Sequence, residues 1–115
     1  MKINNRNIYG LTERDMQTLH SILKKYDEIA EVKLFGSRAK GNYKQGSDID
    51  LAVMNEEISS EVISDLASEF EESSLPYTVD LINYPTLRHP AFIEHINRVG
   101  VVFYERYKEY NFSDY

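Results

Sequence analysis

The segment DIDLAV, residues 48–53, constrains this chain more than any other, because it places Asp48 and Asp50 two apart inside an otherwise apolar run. Side chains two apart in a strand share a face, so Asp48, Asp50 and Ala52 point one way while Ile49, Leu51 and Val53 point the other. The aliphatic face belongs to a core. The two carboxylates repel each other, and burying them unpaired costs on the order of several kcal/mol. A divalent cation cancels that repulsion. Oxygen ligands suit Mg²⁺, a hard ion that keeps some of its waters and takes one or two carboxylates together with substrate phosphates. Two exposed acids at a strand end would explain Asp-x-Asp standing alone, so its surroundings decide.

Upstream, the run ending LFGS places Gly36 and Ser37 where the chain turns toward RAK. Gly36 lets backbone N–H groups approach an anion, Ser37 adds a hydroxyl donor, and a helix starting here aims its positive end at phosphate. Arg38 and Lys40 add positive charge. Downstream, TVDLI sets Asp80 in the middle of an apolar strand, with Thr78 and Ile82 on its face and Val79 and Leu81 opposite. If this strand lies beside DIDLAV, three carboxylates converge. Asp80 then serves as a metal ligand or as the base that takes a proton from an attacking hydroxyl. The plainer reading of Asp80 is an ion pair with Lys33 or Arg88.

The rest of the chain alternates helical and strand-like patterns. Thr12, Glu13 and Asp15 form a helix start, and Met16, Leu19, Ile22, Leu23 and Tyr26 recur at helical spacing, which predicts a helix over 12–26. IAEVKLFG reads as a first strand, GNYKQGS as a loop between Gly41 and Gly46, and DIDLAV as a second strand. Ser59 or Ser60 caps a second helix whose stripe is Val62, Ile63, Leu66, Ala67 and Phe70, and YTVDLIN is a third strand. Pro90 opens a third long helix carrying Phe92, Ile93, Ile96 and Val99, Gly100 ends it, and VVFYE is a fourth strand or an extended edge segment. The pattern predicts an α/β (α+β) fold, a small sheet with helices packed mainly on one face, in a single domain over 1–115. RYKEYNFSDY continues as a helix or frays.

Composition closes off several function classes. There is no cysteine, which excludes disulfides and thiolate metal sites and fits a reducing cytoplasm. No apolar run reaches the length of a membrane span, and the start MKINNRNIYG lacks the apolar core of a signal peptide. The expectation is a soluble cytoplasmic protein. A formal charge of -6 with scattered basic residues argues against broad nucleic-acid binding, although a local basic cluster can still hold a small anion. His20, His89 and His95 share no metal-ligand spacing and read as surface or capping residues. Tyr104, Tyr107 and Tyr110, three apart, read as core or partner-interface residues of a terminal helix, and Glu56, Glu57, Glu61, Glu69, Glu71 and Glu72 as a solvated face.

The phosphate and carboxylate residues together resemble the minimal nucleotidyltransferases of the DNA polymerase β-like superfamily. That family's signature is Gly-Ser, ten residues, then Asp-x-Asp; here Gly36 and Ser37 precede Arg38 to Ser47 and then Asp48, Ile49 and Asp50. TVDLI matches the family's later acid at Asp80. GSRAKG followed by SDIDLAV is similar in particular to the antitoxin-type members paired with small helical HEPN ribonuclease toxins, with Lys40 standing where arginine is common. The likeness runs roughly from Leu11 to Glu105. It implies a small mixed sheet of the nucleotidyltransferase fold, with Asp48, Asp50 and Asp80 as catalytic and metal-binding residues for two Mg²⁺ ions. Gly36 and Ser37, helped by Arg38 and Lys40, would hold the triphosphate of ATP. AMP would pass from ATP to a hydroxyl, in the antitoxin-type members a tyrosine of the HEPN toxin. Larger members carry a helical domain for the acceptor, so the acceptor site here is expected from a partner or another subunit, in a homo- or hetero-oligomer. The alternative is an antitoxin that silences its partner by binding alone, which the complete acid set disfavours.

Overall fold

The computed structural model describes residues 6–112. Its first helix, α1 (Glu13–Lys24), begins with a capping box: the Thr12 side chain accepts from the Asp15 N–H at 3.0 Å and the Asp15 carboxylate accepts from the Thr12 N–H at 3.0 Å. Two otherwise orphaned N–H donors are thereby satisfied, and Asp15 is buried because of it. The strands are β1 (Glu31–Phe35), β2 (Ile49–Val53), β3 (Val79–Asn83) and β4 (Val101–Glu105). Between them lie a five-residue helix α2 (Gly36–Lys40), α3 (Ser60–Glu72) and α4 (Pro90–Val99). A short 3₁₀ turn at Tyr84–Thr86 joins β3 to α4.

The sheet has the order β3-β2-β1-β4 and is mixed. β1 pairs antiparallel with β2 and β4, whereas β2 and β3 are parallel. Parallel neighbours need a crossover, and α3 provides it. The larger core lies on one face, where Leu34, Ile49, Leu51 and Val53 meet Leu19 and Leu23 of α1 and Leu66 and Phe70 of α3. On the other face a second, smaller core joins Phe35 and Ala52 to Ile96 of α4. The Asp-x-Asp face is therefore covered at Ala52 and stays accessible only toward the beginning of β2.

Several expectations change at the boundaries. Asp48 precedes β2 instead of belonging to it, and Ala67 is exposed, so only Leu66 and Phe70 of the α3 stripe are fully buried. Glu69 does not sit on a purely solvated face: it pairs with Lys25 at 2.6 Å and accepts a hydrogen bond from the Tyr26 hydroxyl, tying α3 to the end of α1. VVFYE is a true strand, and residues 106–112 continue it as an irregular segment, not as a helix. Tyr104 lies in β4, Tyr107 adopts a left-handed φ of 69° and is exposed, and the Tyr110 hydroxyl oxygen accepts from the Glu105 N–H at 3.1 Å.

His20 is the clearest departure. It is 4% exposed, against the expectation of a surface residue, and its ring lies among Phe103, Tyr104, Tyr110 and Phe112 with centroid separations of 4.5 to 5.6 Å. Neither ring nitrogen makes a hydrogen bond of ordinary geometry among the described residues. Burial, reinforced by the charge of Lys24, lowers its pKa to about 4, and the Phe103 backbone opposes this only weakly. His89 does cap: its Nδ1 accepts from the Phe92 N–H at 3.3 Å at the start of α4. His95 packs edge-on against Phe35.

Candidate active site

The site forms where β1 ends and β2 and β3 begin. Antiparallel pairing sets Phe35 opposite Asp50, so Gly36 follows directly beside that carboxylate. Parallel pairing sets Asp50 opposite Asp80 in the same register. Opposed residues of neighbouring strands share a face, which brings the two carboxyl groups together. No ion pair of Asp80 with Lys33 or Arg88 forms among the described residues. Asp48 lies one turn of the pleat away and is exposed.

Gly36 is held at φ 72°, a conformation that other residues rarely adopt. A Cβ built on it would fall onto the Asp50 carboxylate. The absence of a side chain is what lets the β1–α2 turn close over the acid. α2 then starts at Gly36 with no side chain capping its first turn, so backbone donors there are left for another acceptor. Ser37 is half-buried beside them and Lys40 is exposed.

Electrostatics single out Asp50. Its pKa is raised to about 6, first by desolvation, then by the charge of Asp80 and a hydrogen bond shared with it, and then by Asp48; Arg38 pulls the other way. A carboxyl group raised by burial and by a neighbouring acid is stabilised in its charged form by any cation that comes near it. Among the described residues no three His, Cys, Asp or Glu side chains already form a metal cage. The donor set still fits Mg²⁺: it is all oxygen, it is short of positive charge, and no side chain caps the α2 turn beside it. Mg²⁺ takes the balance of its ligands from water and substrate phosphate instead of from a full protein cage.

Arg38, expected beside the triphosphate, has its guanidinium engaged by the chain itself. It is 2% exposed, and its guanidinium donates to the Ser47 carbonyl at 3.1 and 2.8 Å and to the Tyr9 carbonyl at 2.7 Å. It stacks on Tyr77 at 4.5 Å and faces Tyr43 at 5.3 Å. It fixes the loop that delivers Asp48, and its charge reaches Asp50 through space. Nothing in the spacing of GSRAKG distinguishes such a buried arginine from an exposed one.

An open mixed sheet with an uncapped glycine-serine turn over a carboxylate pair is chemically suited to a cation and a phosphate. Comparison with known proteins supplies the class. The family model described as polymerase beta, nucleotidyltransferase matches residues 17–109. The chain belongs to this nucleotidyltransferase family. A curated relative from Haemophilus influenzae, named probable protein adenylyltransferase MntA, is 36% identical over 99 residues, spanning 85% of this chain and 86% of that one. Solved structures share the fold. A toxin–antitoxin crystallised with AMP-PNP superposes with a TM-score of 0.62 at 20% identity, over 81% of this chain and 75% of its own. A candidate nucleotidyltransferase from Sulfolobus solfataricus gives 0.53 at 24% identity, over 84% and 81%.

Proposed function

We propose that this chain is a Mg²⁺-dependent adenylyltransferase that moves AMP from ATP to a tyrosine hydroxyl of a HEPN-type toxin and so acts as its antitoxin. The observation that carries the reading is Asp50, in register with Asp80 and roofed by Gly36, which has no side chain. The likeness to a named adenylyltransferase and to a nucleotide-bearing toxin–antitoxin supports it.

Asp48 and Asp50 would hold the ions, with Asp80 completing the set. When bound, the metal supplies charge stabilisation to the attacking and leaving oxygens of an in-line displacement. The chain's own groups do the rest. The first-turn N–H groups at Gly36 and the Ser37 hydroxyl hold the phosphates, and Lys40 adds charge at the mouth. Asp80, the more exposed partner of the acid pair, would accept the proton of the acceptor hydroxyl. A bond forms from that oxygen to the α-phosphorus, and the bond to pyrophosphate breaks. The acceptor is presented by the partner.

The test is incubation of the protein with Mg²⁺, each labelled nucleotide in turn, and the helical protein encoded beside it. Label from ATP should move to a tyrosine of that protein and abolish its ribonuclease activity. Neutralisation without transfer would replace this reading by one of binding alone.

A further inference from the structure

Beside the 41–47 loop lies a cavity of about 420 Å³ that none of Gly36, Ser37, Asp48, Asp50 and Asp80 lines. Its wall includes Arg6, Asn7, Arg38, Tyr43, Lys44 and Tyr77, and no Asp or Glu among the described residues. In a chain of formal charge -6 this is a local island of positive charge.

Two groups in the wall lack the partner their chemistry calls for. Arg38 is a cation at 2% exposure, yet no carboxylate among the described residues lies within ion-pair distance of it. The carbonyls of Ser47 and Tyr9 orient its guanidinium but are neutral, and Asp50, which feels its charge, stands beyond ion-pair distance. A buried cation with no carboxylate in contact is costly. Asn7 is the second case. Its Oδ1 accepts from the N–H groups of Tyr9 and Leu11 at 2.9 and 3.1 Å, which fixes the amide orientation and leaves Nδ2 a buried donor with no acceptor among the described residues. A cation with no contacting carboxylate and a donor with no acceptor at one cavity both favour an anionic acceptor there.

We infer that this cavity is a second anion site, distinct from the nucleotide's triphosphate site, and that it takes a phosphate-bearing ligand. The exposed Lys44 at its mouth adds a mobile charge, while Arg38 provides the fixed one. Because Arg38 also grips the Ser47 carbonyl, a ligand on it firms the loop that ends at Asp48. The site does not depend on the proposed transfer, so each can fail without the other.

The experiment is a titration of the full chain, in EDTA, with inorganic pyrophosphate and separately with AMP, followed by amide NMR. Saturable shifts should centre on Asn7, residues 43–46 and Tyr77. Lys44→Glu should weaken binding about ten-fold or more, the loss expected for a hydrogen bond to a charged group. Ser37→Ala should leave it in place. Arg38→Met should abolish it, and if that variant does not fold, Lys44→Glu on the exposed side chain carries the test. Tighter binding of pyrophosphate assigns an inorganic anion and tighter binding of AMP a nucleotide. Shifts centred on Gly36 and Ser37 and lost in Ser37→Ala, unchanged affinity in Lys44→Glu, or no saturable binding of either probe would overturn the inference.

Discussion

Burial raises the Asp50 carboxyl to about 6 and lowers the His20 imidazole to about 4, so between those values the fold keeps both groups uncharged. Their contributions to stability run in opposite directions. The unfolded chain binds a proton at His20 below about 6.5 that the folded chain refuses until about 4, so stability rises with pH across that window and is fully present above it. At Asp50 the folded chain holds a proton from the ordinary 3.8 up to about 6, so stability falls with rising pH there. The difference lies in the neighbours. His20 is enclosed by four rings and has no partner to gain, whereas Asp50 is surrounded by other acids beneath a glycine and gains from any cation that enters. One burial serves packing; the other leaves a local deficit of positive charge.

Removing the deficit is the most severe test. Asp48→Asn with Asp50→Asn should lower AMP transfer by about a thousand-fold or more, because the displacement loses its main electrostatic stabilisation. Melting temperature should hold or rise, since repulsion among the acids is relieved; thermal melting beside labelled-ATP transfer reads both. A double variant that transfers normally would place the chemistry elsewhere.

On the packing side, His20→Phe should remove the acid-side loss of stability that His20 brings, about 3 kcal/mol between pH 7 and pH 4. Urea unfolding of parent and variant across that range measures it. Parallel pH profiles would mean that the aromatic box opens to water.

A smaller effect is expected from Ser37→Ala. Loss of one hydrogen bond to a charged group, about 1.5–3 kcal/mol, should lower transfer at limiting ATP about ten-fold or more while stability stays nearly constant. Unaltered kinetics would remove Ser37 from the phosphate grip.

The mildest change sharpens the contrast itself. Asp80→Asn removes the second and third causes of the Asp50 shift but leaves desolvation, so the Asp50 pKa should fall from about 6 toward the usual carboxylate range without reaching it. Carboxyl NMR titration of the metal-free protein follows this directly. No movement would show that the two acids do not share a proton.

Much of the active corner was legible because it is written in local spacing. Period-two alternation placed Ile49, Leu51 and Val53 in the core, and the resemblance to the nucleotidyltransferase signature joined Gly36 and Ser37 to Asp48 and Asp50. Thr12 and Asp15 announced the first helix by chemistry that acts over three residues. Contacts made across the chain were not legible in this way. His20 is buried by rings from β4 and the segment after it, and Arg38 by carbonyls at Tyr9 and Ser47, none of which a window around either residue reveals. Glu69 looked like one more surface acid until the fold brought it to Lys25 and Tyr26. The stripe on α4 predicted a buried face, but not that it would lie over Ala52 and narrow the acid face.

The parallel register of β2 and β3 also bears on how such a chain can change over generations. Asp50 meets Asp80 only because β3 pairs with β2 in this register, and a slip of one residue would turn Asp80 into the core and Leu81 out of it. Single-letter substitutions along the exposed side of α3, at Glu61, Ser64, Asp65 or Ser68, leave that alignment untouched. Gains or losses of a residue within β3 do not. The lineage of this protein is free to rewrite the letters of its crossover while its reading frame against the neighbouring strand stays fixed.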